Sequence, residues 1–259
     1  MTAIERLQTW AQEVNIPLET LKQKYDEMLE IVKQKYPDKE GIWEDRALRR
    51  VHNWIKRTLS LEEMEVTLLA VSPMVDLGEI LQRGVSIPLR NAVGVTKDLT
   101  QEVFLTIRGD PARDVYRVPH LYKIRAVKGR RGYTVQDDST IEDLGLQNVD
   151  ILSLVEGGCL RKYKWKLSQL EEAYLSMQNE PVKFIIVEAD VLAIPEVPSR
   201  TGRRWIRVDD LSGFSGDGNG GYTVFLANDT IDFELDDTLL IFGEVRGQGV
   251  INEWAHYLI

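Results

Sequence analysis

Hydrophobic and polar positions follow two different periods along the chain, and the change comes near residue 60. Before it, Leu18, Leu21, Tyr25, Leu29, Val32 and Tyr36 recur three or four apart until Pro37 and Asp38 close the segment, which is the spacing of an amphipathic helix. Trp43, Ala47, Val51, Trp54 and Ile55 form a second stripe, with Arg46, Arg49, Arg50, Lys56 and Arg57 around it. That basic surface reads first as the solvated side of a helix and second as a face for docking or oligomerising. Residues 1–59 are expected to be helical.

From Met64 the pattern shortens toward strands. Residues 66–71 are rich in β-formers, and residues 101–108 alternate apolar with polar, as a half-buried strand does. Between them, residues 72–100 follow neither period clearly and their assignment stays open, with a short helix near residues 77–81 and an extended piece around 85–95 as the candidates. Residues 122–127 and 133–136 flank a Gly-containing turn and read as a hairpin. Ile124 and Ala126 would point inward, Lys123 and Arg125 outward, and Arg130 and Arg131 would sit at the tip. Residues 151–155 are expected to form an apolar strand. Leu167, Leu170, Ala173, Tyr174 and Met177 mark a short helix, and the long β-branched run 182–194 ends at Pro195 and Pro198. In residues 203–208 strand alternation sends Ile206 and Val208 to the core and lines up Arg203, Trp205 and Arg207 outside. A Gly-rich loop then leads to the strands at 222–226 and 238–246.

Two short matches suggest an internal duplication. Gly132-Tyr133-Thr134-Val135 recurs as Gly221-Tyr222-Thr223-Val224, and Thr140-Ile141-Glu142-Asp143 is answered at nearly the same offset by Thr230-Ile231-Asp232-Phe233. The expected organisation is a helical N-terminal module over 1–61, a first β-domain over 62–167, a linker helix over 168–181 and a second β-domain over 182–259.

Composition narrows the chemistry. With 259 residues, 43% of them apolar and 28% charged, the chain can bury ordinary cores. No apolar run reaches the roughly 20 residues of a membrane helix, and residues 1–15 lack an apolar signal core, so the expected location is cytoplasmic, with no membrane partner. Cys159 is the one cysteine and His52, His120 and His256 are widely spaced, which argues against a disulfide, a multi-cysteine zinc site or a histidine metal motif. Residues 216–221 satisfy G-x-G-x-x-G, but a strand follows instead of a helix, so no dinucleotide cofactor is expected. Adjacent acidic pairs such as Glu62-Glu63 and Asp236-Asp237 diverge on strands or turns, and nothing points to catalysis.

The net charge of −9 runs against nucleic-acid binding, yet the cations are clustered beside aromatic rings. Arg203, Trp205 and Arg207 alternate on one strand face. Lys123, Arg125, Arg130 and Arg131 adjoin Tyr133, and Lys164 neighbours Trp165. Such surfaces suit a single strand, whose phosphates take the charges and whose bases stack on the rings.

A long bent first strand, an arginine-flanked second, a third, and an apolar fourth ending at residues 243–246 before a fifth resemble the five-stranded OB-fold barrel. Residues 205–213 with 239–245 resemble the single-stranded-DNA-binding proteins of the replication protein A family. That resemblance is best over 182–259 and extends through the repeat to 64–167. It implies a mainly β protein with two tandem OB-like barrels behind the helical module. It also implies a non-enzymatic protein that protects and presents single-stranded DNA, or alternatively RNA, in replication, recombination or repair. The helical module would meet replication or repair proteins. On the matching positions Tyr222 or Phe225, and Phe242, become stacking candidates beside Arg203, Trp205 and Arg207. The zinc cysteines of some family members are absent here. Residues 133–146 with 150–155 also resemble the closing half of a ubiquitin-like β-grasp domain, which leaves that fold as an alternative for part of the first β-domain. The alternative function is an adaptor whose β-domains bind another replication or repair protein and no nucleic acid.

Overall fold

The computed structural model describes residues 2–80, 86–129, 132–137, 139–180, 182–212, 221–228, 230–247 and 250–259. The chain divides into two compact units, Met1–Glu62 and Glu63–Ile259.

The first unit holds α1 (Ala3–Val14), α2 (Leu18–Lys35) and α3 (Trp43–Leu59). Thr2 and Glu5 form a reciprocal capping box at the start of α1, which satisfies two backbone donors that the helix leaves open. The expected stripes meet: Leu7, Leu21, Leu48, Val51 and Ile55 share one small core, and Trp10 stacks on His52 at 5.1 Å. Of the basic residues on α3, Arg46 lies over the Tyr36 ring at 4.2 Å, and Arg49, Lys56 and Arg57 are exposed.

The second unit begins with β1 (Leu61–Val71), β2 (Val75–Asp76), α4 (Leu77–Ile80), β3 (Pro88–Thr96), β4 (Glu102–Arg108), β5 (His120–Gly129), β6 (Gly132–Val135) and β7 (Thr140–Leu146). Strands β1-β3-β4-β6-β5 run side by side and β1 pairs with β5, closing a five-stranded barrel; β2 joins β3 and β7 joins β5 outside the ring. Helices α5 (Ile151–Glu156) and α6 (Leu170–Ser176) lead to β8 (Phe184–Ala193), β9 (Trp205–Asp209), β10 (Tyr222–Phe225), β11 (Thr238–Arg246) and β12 (Val250–Leu258). These close a second barrel in the order β10-β12-β11-β8-β9. Counted within each barrel, both rings run 1-2-3-5-4, and the third and fifth strands are parallel. This is the OB-like arrangement expected. The β-grasp alternative fails because residues 133–135 enter the ring between β4 and β5 instead of forming an open sheet.

Two further expectations are corrected. The repeated Gly-Tyr-Thr-Val does not mark equivalent strands: Gly132–Val135 is the fifth strand of barrel 1, and Tyr222–Phe225 is the third of barrel 2. What the two share is local, since Gly132 at φ 126° and Gly221 at φ 80° each lead into a short strand from a conformation that glycine adopts without strain. Residues 151–155 form α5, not a strand. Asp150 caps it, accepting from Ser153 N at 3.0 Å and Ser153 Oγ at 2.6 Å, and a short apolar run alone does not distinguish helix from strand.

Each barrel has its own interior. Val66, Leu68, Leu105, Ile107, Ile124 and Val135 fill the first; Ile185, Val187, Ile206, Val208, Val224 and Ile241 fill the second. Leu167, Leu170 and Ala173 from the connecting segment pack into the second core as well. Between the barrels lies a third apolar cluster. Leu69, Ala70, Val93 and Val95 of barrel 1 meet Phe184, Ile186, Leu240, Phe242 and Trp254 of barrel 2, with Leu154, Val155 and Leu160 at the same layer. A β-bulge between Leu68 and Ala70 breaks alternation, so that Leu69 and Ala70 both face the layer while Leu68 and Val71 face the barrel interior. The carbonyl of Leu69, left out of the β1–β3 register, accepts from Tyr257 Oη at 2.5 Å, and burial raises the Tyr257 pKa.

His256 ties β12 to the segment before β11. Its Nδ1 meets the buried Glu253 carboxylate and its Nε2 meets Asp232 Oδ1 at 2.7 Å; Glu253 also accepts from Ala227 N at 2.7 Å. Burial opposes charging the ring, but the hydrogen bonds and charges of Glu253 and Asp232 outweigh it and raise the pKa to about 9.

Replacing Tyr257 with Phe should leave the Leu69 carbonyl buried without its donor and lower stability by about 1–3 kcal/mol in urea unfolding; an unchanged midpoint would show that the bond contributes nothing. Protonated His256 stabilises the fold fully below its ordinary pKa of 6.5 and ceases to as pH rises through about 9. The linkage amounts to at most about 3 kcal/mol, less where solvent screens the ring. His256→Gln should therefore flatten the fall in melting temperature across that interval, and a wild-type curve level from pH 6.5 to 9 would refute the assignment.

Candidate nucleic-acid interface

The outer face of β9 and β10 in barrel 2 is built by strand parity. Ile206 and Val208 are buried, so Trp205 and Arg207 face out; Val224 is buried, so Thr223 and Phe225 face out beside them. Antiparallel pairing sets Trp205 directly opposite Phe225 and Arg207 opposite Thr223. The β8–β9 connection, residues 195–200, forms the opposite wall of a cleft of about 540 Å³ that includes these four side chains and Arg200. Trp205 Nε1 donates to Val197 O at 3.2 Å, which fixes the edge of the ring against that wall. Arg207 Nη2 donates to Gly221 O at 2.7 Å. Arg200 is exposed and has no ion pair or hydrogen bond among the described residues. The alternation that picks out Trp205 and Arg207 does not reach Arg200, which precedes the strand. The signal available was a cation between Pro198 and Gly202 directly before the Trp205 strand.

Arg203 faces inward to the protein more than outward to a ligand. It donates to Asn252 Oδ1 at 2.8 Å and to the carbonyls of Phe225 and Leu226 at 3.2 Å each, with its guanidinium 5.4 Å from the Phe225 ring. Desolvation by burial lowers its pKa. It therefore braces β9, β10 and β12 and holds Phe225 in place. Asp210, which would set negative charge near the cleft, is engaged elsewhere, accepting from Leu167 N at 2.7 Å and Ser212 N at 2.9 Å.

Several candidate residues occupy other positions. Tyr222 is 7% exposed and belongs to the core of barrel 2; three residues from Phe225 on one strand, it must take the opposite face. Phe242 is fully buried between the barrels, so its ring has no open side for a base. Tyr133 shares the inward side of β6 with Val135 and packs against the core of barrel 1. Lys123 is paired with Glu63 at 3.0 Å, and that bond raises its pKa. Lys164 is held by Glu156 and by Glu188 at 2.7 Å. Neither lysine presents an unmatched charge. Arg125 is exposed on β5 and outside the cleft, and Arg130 and Arg131 lie outside the described residues, as does the Gly-rich loop at 213–220.

Trp165 is brought to a second cavity, of about 730 Å³, between the β3-β4-β6 face of barrel 1 and the connecting segment. Tyr133 borders it from the barrel side. Among the described residues no group of three or more His, Cys, Asp or Glu side chains could hold a metal ion, and no helix is long and apolar enough to cross a membrane.

No family model and no curated protein sequence matches the chain. Among solved structures, the chain is similar to a murine DNA-binding protein bound with double-stranded DNA, at 15% identity and TM-score 0.34, over 76% of this chain and 94% of that one. It is similar to the Ifi202 HINa domain in complex with 20-bp double-stranded DNA, at 12% and 0.36, over 77% and 96%. A replication protein A heterotrimer bound to single-stranded DNA matches at 12% and 0.39, over 74% of this chain and 49% of that one. Such remote likenesses carry no functional argument, which rests on the cleft.

Arg203→Ala should lower stability as well as ligand binding, by about 1–2 kcal/mol for the lost hydrogen bonds, whereas Arg200→Ala should leave the melting temperature unchanged. Equal melting temperatures for the two variants would remove the bracing role.

Proposed function

We propose that this protein binds single-stranded nucleic acid, DNA first and RNA as the alternative, in the cleft of barrel 2. The single observation that carries this is the cross-strand pair Trp205–Phe225 on the second and third strands, with Arg200 and Arg207 beside it. On an OB-like barrel those strands form the ligand face, and paired rings with adjacent cations accept bases and phosphates together. The described residues of the cleft include no constellation of acid, base and nucleophile, and we read the protein as one that holds or presents a strand without altering it. We propose that this action serves replication, recombination or repair, a reading supported by the resemblance of residues 205–213 and 239–245 to the single-stranded-DNA-binding proteins of the replication protein A family.

Stacking and charge separate experimentally. With a fluorescently labelled oligonucleotide at low salt, Trp205→Ala should weaken binding by about 1–3 kcal/mol and leave the salt dependence nearly unchanged. Arg200→Ala should make the slope of log K against log salt shallower by roughly 0.7 for the one phosphate contact removed. A Trp205→Ala protein that is folded by circular dichroism and binds as wild type does would overturn the interface. Absence of binding to both DNA and RNA by the wild type would favour the adaptor.

A further inference from the structure

The cavity beside barrel 1 is built differently from the cleft. Its floor is a polar row across three adjacent strands: Asn91 on β3 lies opposite Thr106 on β4, and Thr106 opposite Thr134 on β6. All three are half-buried, and among the described residues none of their side chains makes a hydrogen bond, so each keeps its donors and acceptors for solvent or a ligand. The wall is aromatic. Half-buried Tyr163 and Trp165 line it, and Tyr163 packs edge-on against Phe104 at 5.4 Å and against the buried Phe184 at 5.5 Å, which fixes its ring.

We infer that this cavity binds the base of a free nucleoside or nucleotide. The volume falls in the range of small-molecule sites, where a few polar groups orient a ligand held by apolar walls. An amide beside two hydroxyls offers both donors and acceptors, matching the hydrogen-bonding edge of a nucleobase, and Tyr163 and Trp165 match its flat faces. Barrel 1 lies on one side and Lys162, Tyr163, Trp165, Met177 and Val182 on the other, which gives a ligand contacts on two sides. The inference stands apart from the cleft on β9 and β10, with which this cavity shares no residue.

The test is a titration of the full chain with adenosine, guanosine, cytidine, uridine and their 5′-monophosphates, followed by tryptophan fluorescence and melting temperature. At least one compound should quench saturably and raise the melting temperature. Trp165→Phe should remove most of the quench, and Asn91→Ala should weaken binding about tenfold or more with the fold intact. The same Asn91→Ala protein should bind labelled oligonucleotide normally, and Trp205→Ala should bind the nucleoside normally, so that failure of one site is told from failure of the other. No saturable binding at about millimolar concentration, or binding indifferent to both Asn91→Ala and Thr106→Val, would overturn the inference. So would an Asn91→Ala effect confined to oligonucleotides, which would make the cavity a seat for a chain end.

Discussion

The apolar layer between the barrels is the constraint on which the rest depends. Phe184, Ile186, Leu240, Phe242 and Trp254 on one side and Leu69, Ala70, Val93 and Val95 on the other are almost wholly removed from water, and each large side chain so buried contributes about 1.5–3 kcal/mol. The layer needs the bulge in β1, because regular alternation would send either Leu69 or Ala70 inward and leave the interior of barrel 1 or the layer short of a side chain. The same bulge releases the Leu69 carbonyl for Tyr257. At Gly243 the β11–β12 ladder makes a second register shift, where an added Cβ would come within 2.6 Å of Asn252 O, so glycine lets the two strands stay close beside Phe242.

This layer also divides the work of the barrels. Strands β3 and β4 of barrel 1 occupy the topological position that β9 and β10 occupy in barrel 2, yet Val93, Val95 and Phe104 on their outer side pack against barrel 2. The face is therefore largely covered, and what remains open is the end bearing Asn91, Thr106 and Thr134. Barrel 2 keeps its own face open, because it meets barrel 1 through β8, β11 and β12 instead.

Much of this was legible in the sequence, and the misses have physical causes. Period located the helical module and most strands, though not β2 or β7 and with a strand misplaced at 151–155, and parity placed Trp205 and Arg207 outside with Ile206 and Val208 inside. Parity applied to Tyr222 and Phe225 would have excluded one of them from the outer face. The runs Phe184-Ile185-Ile186-Val187 and Leu239-Leu240-Ile241-Phe242 carried a further signal, since a strand apolar at every position is buried on both faces. That pattern already disqualified Phe242 from meeting a ligand. The neutralisation of Lys123 by Glu63 and of Lys164 by Glu188 was not legible, because those partners are set by tertiary pairing.

The net charge of −9 is compatible with the proposed nucleic-acid ligand through the distinction between local and total charge. Lys97, Lys123, Lys162 and Lys164 are each matched to a carboxylate on the barrels, so these four lysines contribute little field. Arg203 instead has carbonyl and amide oxygens as its hydrogen-bond partners. Arg200 reaches the cleft exposed and unmatched among the described residues. Positive charge is thereby retained at Arg200 beside Trp205 and Phe225, and under the proposed function this local charge, not the net charge, is what would hold an anionic strand.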